Sequence, residues 1–321
     1  MTSLLLLFPG QGSQSPGMAE LLWEFPIARA VFAEAGETLG WDVGELCLHG
    51  SMEDLTRTDH TQLAILTCSV ATWRLLEEQG LEFRMAAGHS LGEYSALVAT
   101  GHLTFADALR VVDARARAMH DCGLERQGAM AAIIGLDGDA VDDLCSSLDD
   151  VWVANYNSPG QVVVSGSPEG VQAAGEAARE QGAKRVLPLA VSGAFHTPFM
   201  AGAAESLSHA LAQVTFRAGG SAEGARFFST TEVRYPASTE LAEVMARQLV
   251  SPVRFMQSIE AILAAPGAPQ RALEVGPGNV LCGLIKRIAR RLPAAATATT
   301  SDLGEALAAA SSAADEEDED K

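Results

Sequence analysis

Apolar residues along this chain fall into two rhythms, short unbroken runs and longer stretches with a three-to-four-residue period. Leu4–Phe8 is an uninterrupted apolar run that stops at Pro9-Gly10, the pattern of a buried strand. Phe83-Arg84-Met85-Ala86-Ala87 is a second run, ending at Gly88. Residues 25–39, 62–79 and 104–120 read as helices, and another starts after Ser90 and ends near Gly101. From residue 4 to about 122, strand-like and helix-like segments alternate, which predicts an α/β domain.

The rhythm then changes. Residues 128–136, 151–155, 161–165 and 184–191 read as strands, and 139–148 and 170–181 as helices. Asn157-Ser158-Pro159-Gly160 is a strong turn signal between two of the strands. The order βαββαβ predicts a small ferredoxin-like subdomain over residues 124–196. It is inserted into a larger α/β subdomain made of residues 1–123 and 197–295. Near the end, residues 272–275 are a strand candidate running into Gly276-Pro277-Gly278, and 280–292 an amphipathic helix candidate. Residues 296–321, alanine-rich and then acidic from Asp315 to Asp320, are expected to form a disordered tail.

Composition narrows the function classes. A chain of 321 residues can bury a substantial core. The formal charge of −19 argues against a nucleic-acid partner. Leu4–Phe8 is too short to span a membrane, and no positive charge precedes it, so neither a membrane span nor a signal peptide is expected. The five cysteines are scattered and no Cys-x-x-Cys occurs, so no zinc site or disulfide framework is expected and a reducing cytoplasm fits.

Gly88-His89-Ser90-Leu91-Gly92 has the Gly-x-Ser-x-Gly spacing of a nucleophile elbow, with a strand candidate before it and a helix candidate after it. The helix start would stabilise negative charge at Ser90, and a serine there also reads as a simple helix cap. Glu93 suits the first helical turn. A serine nucleophile needs a base. Of seven histidines, His196 stands where the inserted subdomain rejoins the larger one, a favoured place for a cleft. His89 is expected to pack, and His49, His60, His102, His120 and His209 to lie at the surface. The loop around Gln11 (Phe8-Pro9-Gly10-Gln11-Gly12) fails as a dinucleotide fingerprint because position 15 is serine, and no Gly-Lys-Ser/Thr follows. Such a loop serves either as a tight turn or as a source of N–H groups for an oxyanion. Arg115 shares a helical face with Val111, Val112, Ala118 and Met119, so it should point inward and needs an anionic partner, from within the protein or from a ligand.

Taken together, these segments resemble the malonyl-CoA:acyl carrier protein transacylase family, which includes the free-standing acyltransferases of polyketide synthases. The resemblance is carried by Phe8–Gln14, Ala87–Tyr94, Arg115, Ala154–Gly160, Gly193–Pro198, Gln248–Phe255 and Glu274–Gly278, in family order. It implies a large α/β-hydrolase-like subdomain with the ferredoxin-like insertion. It implies Ser90 as nucleophile and His196 as base, a dyad in place of a triad, with Gln248 orienting the histidine through its main-chain carbonyl. The N–H groups of Gln11 and Leu91 would form the oxyanion hole, and Arg115 would bind the free malonyl carboxylate. Phe195 resembles malonyl-selective members. The implied reaction is ping-pong transfer from malonyl-CoA to the phosphopantetheine thiol of an acyl carrier protein, in fatty acid or polyketide biosynthesis, with no metal or cofactor and by a monomer. Lys286, Arg287, Arg290 and Arg291 would be the docking patch for an acidic carrier, or else an ordinary solvated helix face. The rival within the family is an editing acyl hydrolase, which tends to lack the arginine.

Overall fold

The computed structural model describes residues 3–191, 193–219 and 224–318. Its larger part is built on a five-stranded sheet, all parallel, from β1 (Leu4–Phe8), β2 (Met85–Gly88), β7 (Arg226–Phe228), β8 (Arg271–Glu274) and β9 (Ala294–Ala296), in the order β7-β2-β1-β8-β9. Central β1 is apolar at every position because both of its faces are covered. Leu6 and Phe8 join one core cluster, and Leu5 and Leu7 the other.

Helices pack on both faces. Between β1 and β2 come α1 (Pro26–Leu39), α2 (Val43–His49), α3 (Met52–Thr56) and α4 (Thr58–Glu78). Most of α4 is buried, on all sides, which is why its polar residues Thr61, Gln62, Thr67 and Ser69 are inside the protein. After β2 follow α5 (Gly92–Ala99) and α6 (Phe105–Glu125), the latter capped by the Thr104 hydroxyl accepting from the Asp107 N–H.

The small sheet contains β3 (Ala129–Ile134), β4 (Val151–Ser158), β5 (Gln161–Gly166) and β6 (Arg185–Pro188), antiparallel in the order β4-β5-β3-β6. With α7 (Gly138–Ser146) and α8 (Pro168–Glu180) on one face, this is the ferredoxin-like arrangement the βαββαβ order predicts. Its core is separate, made by Ile133, Val141, Leu144, Val153, Val164 and Ala174. The chain then continues through α9 (Ala201–Leu211), α10 (Leu241–Gln248), α11 (Phe255–Ala264) and α12 (Val280–Ile288). β4 is tied to the segment after α10 by two main-chain bonds, Val253 N–H to Ala154 O (2.8 Å) and Tyr156 N–H to Val253 O (2.9 Å).

Three expectations need correction. The alanine-rich segment is not a loose tail: β9 is followed by α13 (Thr300–Asp318), which packs on α4 and β9 and buries Leu303, Ala306 and Ala310. Alanine is the best helix former, and its small side chain lets a helix lie close to its neighbours. The last three residues, Glu319, Asp320 and Lys321, lie outside the described residues. The amphipathic helix predicted over 280–292 ends at Ile288, so Arg290 and Arg291 stand on the following turn. His102 is buried rather than at the surface, its Nδ1 2.8 Å from the Thr100 hydroxyl.

Candidate active site

The carboxyl ends of β1 and β2 carry the Gln11 loop and Ser90 side by side, at the rim where ligands of parallel sheets are held. Ser90 has φ = 50°, the left-handed region. This costs on the order of 1–3 kcal/mol in a non-glycine residue and is the strained geometry that lifts a serine out of a strand–helix turn. The flanking glycines are steric necessities. A Cβ on Gly88 would lie 1.9 Å from the Gly92 carbonyl carbon, and one on Gly92 would lie 1.9 Å from the Phe8 carbonyl oxygen. The Gln11 loop is pressed on the same turn, since a Cβ on Gly10 would fall 2.4 Å from the His89 carbonyl oxygen.

His196 stands opposite, also left-handed at φ = 62°, with its Nε2 2.9 Å from Ser90 Oγ. Its Nδ1 faces two carbonyl oxygens, Gln248 O at 2.9 Å and Ser251 O at 3.1 Å. A carbonyl only accepts, so Nδ1 carries the proton and Nε2 is free to accept from the serine hydroxyl. The position an acid would fill in a triad is held by main chain, which sets this site apart from the Ser-Asp-His order of α/β-hydrolases. Burial, with the Arg115 charge adding to it, lowers the His196 pKa to about 3, so the imidazole is neutral.

Arg115 projects from α6 and is fully buried. Its guanidinium is held by neutral oxygens: Nη1 donates to Gln62 Oε1, and Nη2 to Ser90 Oγ (3.1 Å) and Gln248 Oε1 (3.2 Å). Nε is among the buried polar atoms that lack a partner. Among the described residues no carboxylate forms an ion pair with it, so the internal salt bridge is not the arrangement found. Burial lowers its pKa, the mark of a charge kept without full compensation.

The remaining sequence candidates divide. Leu91 is buried, and among the described residues the N–H groups of Leu91 and Gln11 have no hydrogen-bond partner. Gln248 is buried and reaches the site with its side chain as well as its carbonyl: Nε2 donates to Ser90 O (3.0 Å) and to Glu93. Phe195 is buried beside His196 in the main core. Lys286, Arg287, Arg290 and Arg291 are exposed and contribute nothing to this cluster. His89 packs on Phe255 and bonds Asn157 (2.8 Å), consistent with a packing role. Reading the sequence alone missed Gln62, Ser251 and the burial of Glu93. Gln62 had a signal, a polar residue amid an apolar helix; the carbonyl of Ser251 had none.

A family model of the acyl transferase domain matches residues 5–305. The malonyl CoA-acyl carrier protein transacylase of Salmonella typhimurium is 44% identical over 313 residues, 96% of this chain and 99% of that protein. The Bacillus subtilis transacylase of the same name is 42% identical, covering 91% of this chain and 92% of the other. Among solved structures, a malonyl-transacylase in complex with its type II PKS acyl-carrier protein superposes with a TM-score of 0.90 at 40% identity, covering 95% of this chain and 99% of that one. With this agreement along nearly its whole length, the chain belongs to the acyl transferase domain family and, within it, to the malonyl CoA-acyl carrier protein transacylases.

Proposed function

We propose that this protein transfers a malonyl group from malonyl-CoA, through an ester on Ser90, to the phosphopantetheine thiol of an acyl carrier protein in fatty acid or polyketide biosynthesis. The observation that carries the reading is Arg115, a buried cation bonded to neutral oxygens and 3.1 Å from the hydroxyl that would be acylated. A malonyl group places its free carboxylate only two carbons from the reacting carbonyl, so one guanidinium beside the nucleophile selects it. A planar fork binds a carboxylate through two parallel hydrogen bonds.

The reaction follows from the hydrogen-bond directions. Ser90 Oγ attacks the thioester carbonyl while its proton passes to His196 Nε2. The amides of Gln11 and Leu91 receive the oxyanion, each contributing about 3 kcal/mol by analogy with other oxyanion holes. The tetrahedral intermediate collapses, the C–S bond breaks, and CoA leaves as the thiol with the proton from the imidazolium. The carrier thiol then gives its proton to His196, attacks the ester carbonyl, and releases Ser90 with its proton returned. These steps use side chains and amides alone and call for no cofactor. Phe195 would crowd an α-methyl branch, an effect limited to about 1–3 kcal/mol per methyl. Five free cysteines, four of them buried, fit a reducing cytoplasm.

Replacing Arg115 by alanine tests the reading. The account predicts a loss of at least about a hundredfold in kcat/KM for malonyl-CoA, with lysine restoring little because it cannot form the fork. Wild-type malonyl transfer retained by the alanine variant would refute it.

A further inference from the structure

The main-chain carbonyl of Gln248 holds His196, and behind the Gln248 side chain lies a carboxylate. Glu93 lies three residues after the nucleophile and has no exposed surface. Its Oε2 accepts from Gln248 Nε2, and its Oε1 from the Thr230 main-chain N–H, with the Thr230 hydroxyl 2.9 Å away. Among the described residues no arginine or lysine is hydrogen-bonded to it. Burial pushes its carboxyl up to about 7. A solvent-facing acid would answer the helix dipole equally well without that cost.

The arrangement fixes which way the Gln248 amide points. Its two N–H bonds go to Ser90 O and Glu93, which leaves Oε1 facing Arg115 Nη2 at 3.2 Å. Turned over, the amide would set its NH2 against the guanidinium, donor against donor, and push it from its place. We propose that Glu93 is a positioning residue for Arg115, acting through the side chain of Gln248, an inference that rests on the transacylase reading above. Glutamine at position 93 cannot do the same work. The main-chain N–H of Thr230 claims its oxygen, so its NH2 meets the Gln248 NH2, donor against donor, and the amide that holds Arg115 is pushed from its place.

The test is steady-state malonyl transfer by wild type, Glu93→Gln, Gln248→Ala and the double variant. Gln248→Ala keeps the carbonyl that holds His196. Glu93→Gln is expected to raise KM for malonyl-CoA about tenfold with a much smaller change in kcat. In the Gln248→Ala background the same change is expected to do almost nothing, since its route is gone. Additive effects, or a fall in kcat with KM unmoved, would overturn the proposal. If Glu93→Gln does not fold, Gln248→Met carries the test: its KM must rise likewise, and an unmoved KM overturns the proposal. Wild type that puts no malonyl group on Ser90 refutes the transacylase reading itself, whereas normal wild-type transfer matched by Glu93→Gln sinks only the role of Glu93.

Discussion

At the scale of single residues, the site is a set of donors and acceptors that leaves one proton free to move. His196 Nδ1 is committed to two carbonyls and Ser90 Oγ accepts from Arg115, so the serine proton can go only to Nε2. Because the folded pKa of His196 is about 3, against an ordinary 6.5, the imidazole stays neutral as pH falls. The rate of Ser90 acylation should therefore show no loss from histidine protonation between pH 8 and about pH 5. An inflection near the ordinary value, measured by single-turnover acylation at saturating malonyl-CoA and retained by Glu93→Gln, would contradict the burial argument. The same depression acts on stability. Below the ordinary value the unfolded chain takes up a proton that the folded site refuses, so this group withdraws stability as pH falls from 6.5 toward 3. Glu93 acts in the opposite direction. Its folded value of about 7 lies above the ordinary 4.5, so its contribution weakens as pH rises through that window. Ser90 was legible from the Gly-x-Ser-x-Gly spacing and the inward-facing Arg115 from helical periodicity, while His196 stood out only by its place where the inserted subdomain ends, and the resemblance to the family joined the three into one site. Glu93 was not legible, since an acid in a first helical turn has an adequate local explanation, and its partner Thr230 is far away in the chain.

At the scale of elements, the hairpin β4–β5 and the end of α12 meet at the molecular surface, where Arg287 Nη1 donates to Gln161 Oε1 (2.7 Å). Lys184 and Arg185, where β6 begins, are exposed near the same hairpin turn: the Lys184 N–H donates to Ile134 O (2.7 Å), and the N–H of the adjacent Gly135 donates to Gly160 O (2.8 Å). Lys286, Arg287, Arg290 and Arg291 are also exposed, in a chain that has only 22 basic residues and a charge of −19. A carrier protein rich in acids would be steered there. Reversing Arg287 and Arg290 to glutamate should raise KM for the carrier several-fold and leave KM for malonyl-CoA nearly unmoved; an unmoved carrier KM would remove the docking role. The small subdomain was legible because each of its six elements has a clear period and a strong turn joins its middle strands. β7 and β9 were not, being three residues each and too short to carry any period. The packing of α13 was missed because alanine hides an amphipathic stripe that leucine would reveal.

At the scale of the whole molecule, the two sheets serve one site. The parallel sheet brings the Gln11 loop and Ser90 together at its rim. The small sheet returns the chain at His196, and its β4 pins the segment whose carbonyls hold that histidine. The alternation of strands and helices was legible, but the order β7-β2-β1-β8-β9 was not, because strand neighbours are chosen by packing over long separations in sequence. The central claim is that Ser90 carries a malonyl group between two thiols. Intact-protein mass spectrometry after brief exposure to malonyl-CoA tests it most directly, with Ser90→Ala alongside and holo carrier protein added afterwards. One malonyl group is expected on the wild type, none on Ser90→Ala, and its appearance on the carrier. No adduct, or an adduct lost only to water, would contradict it.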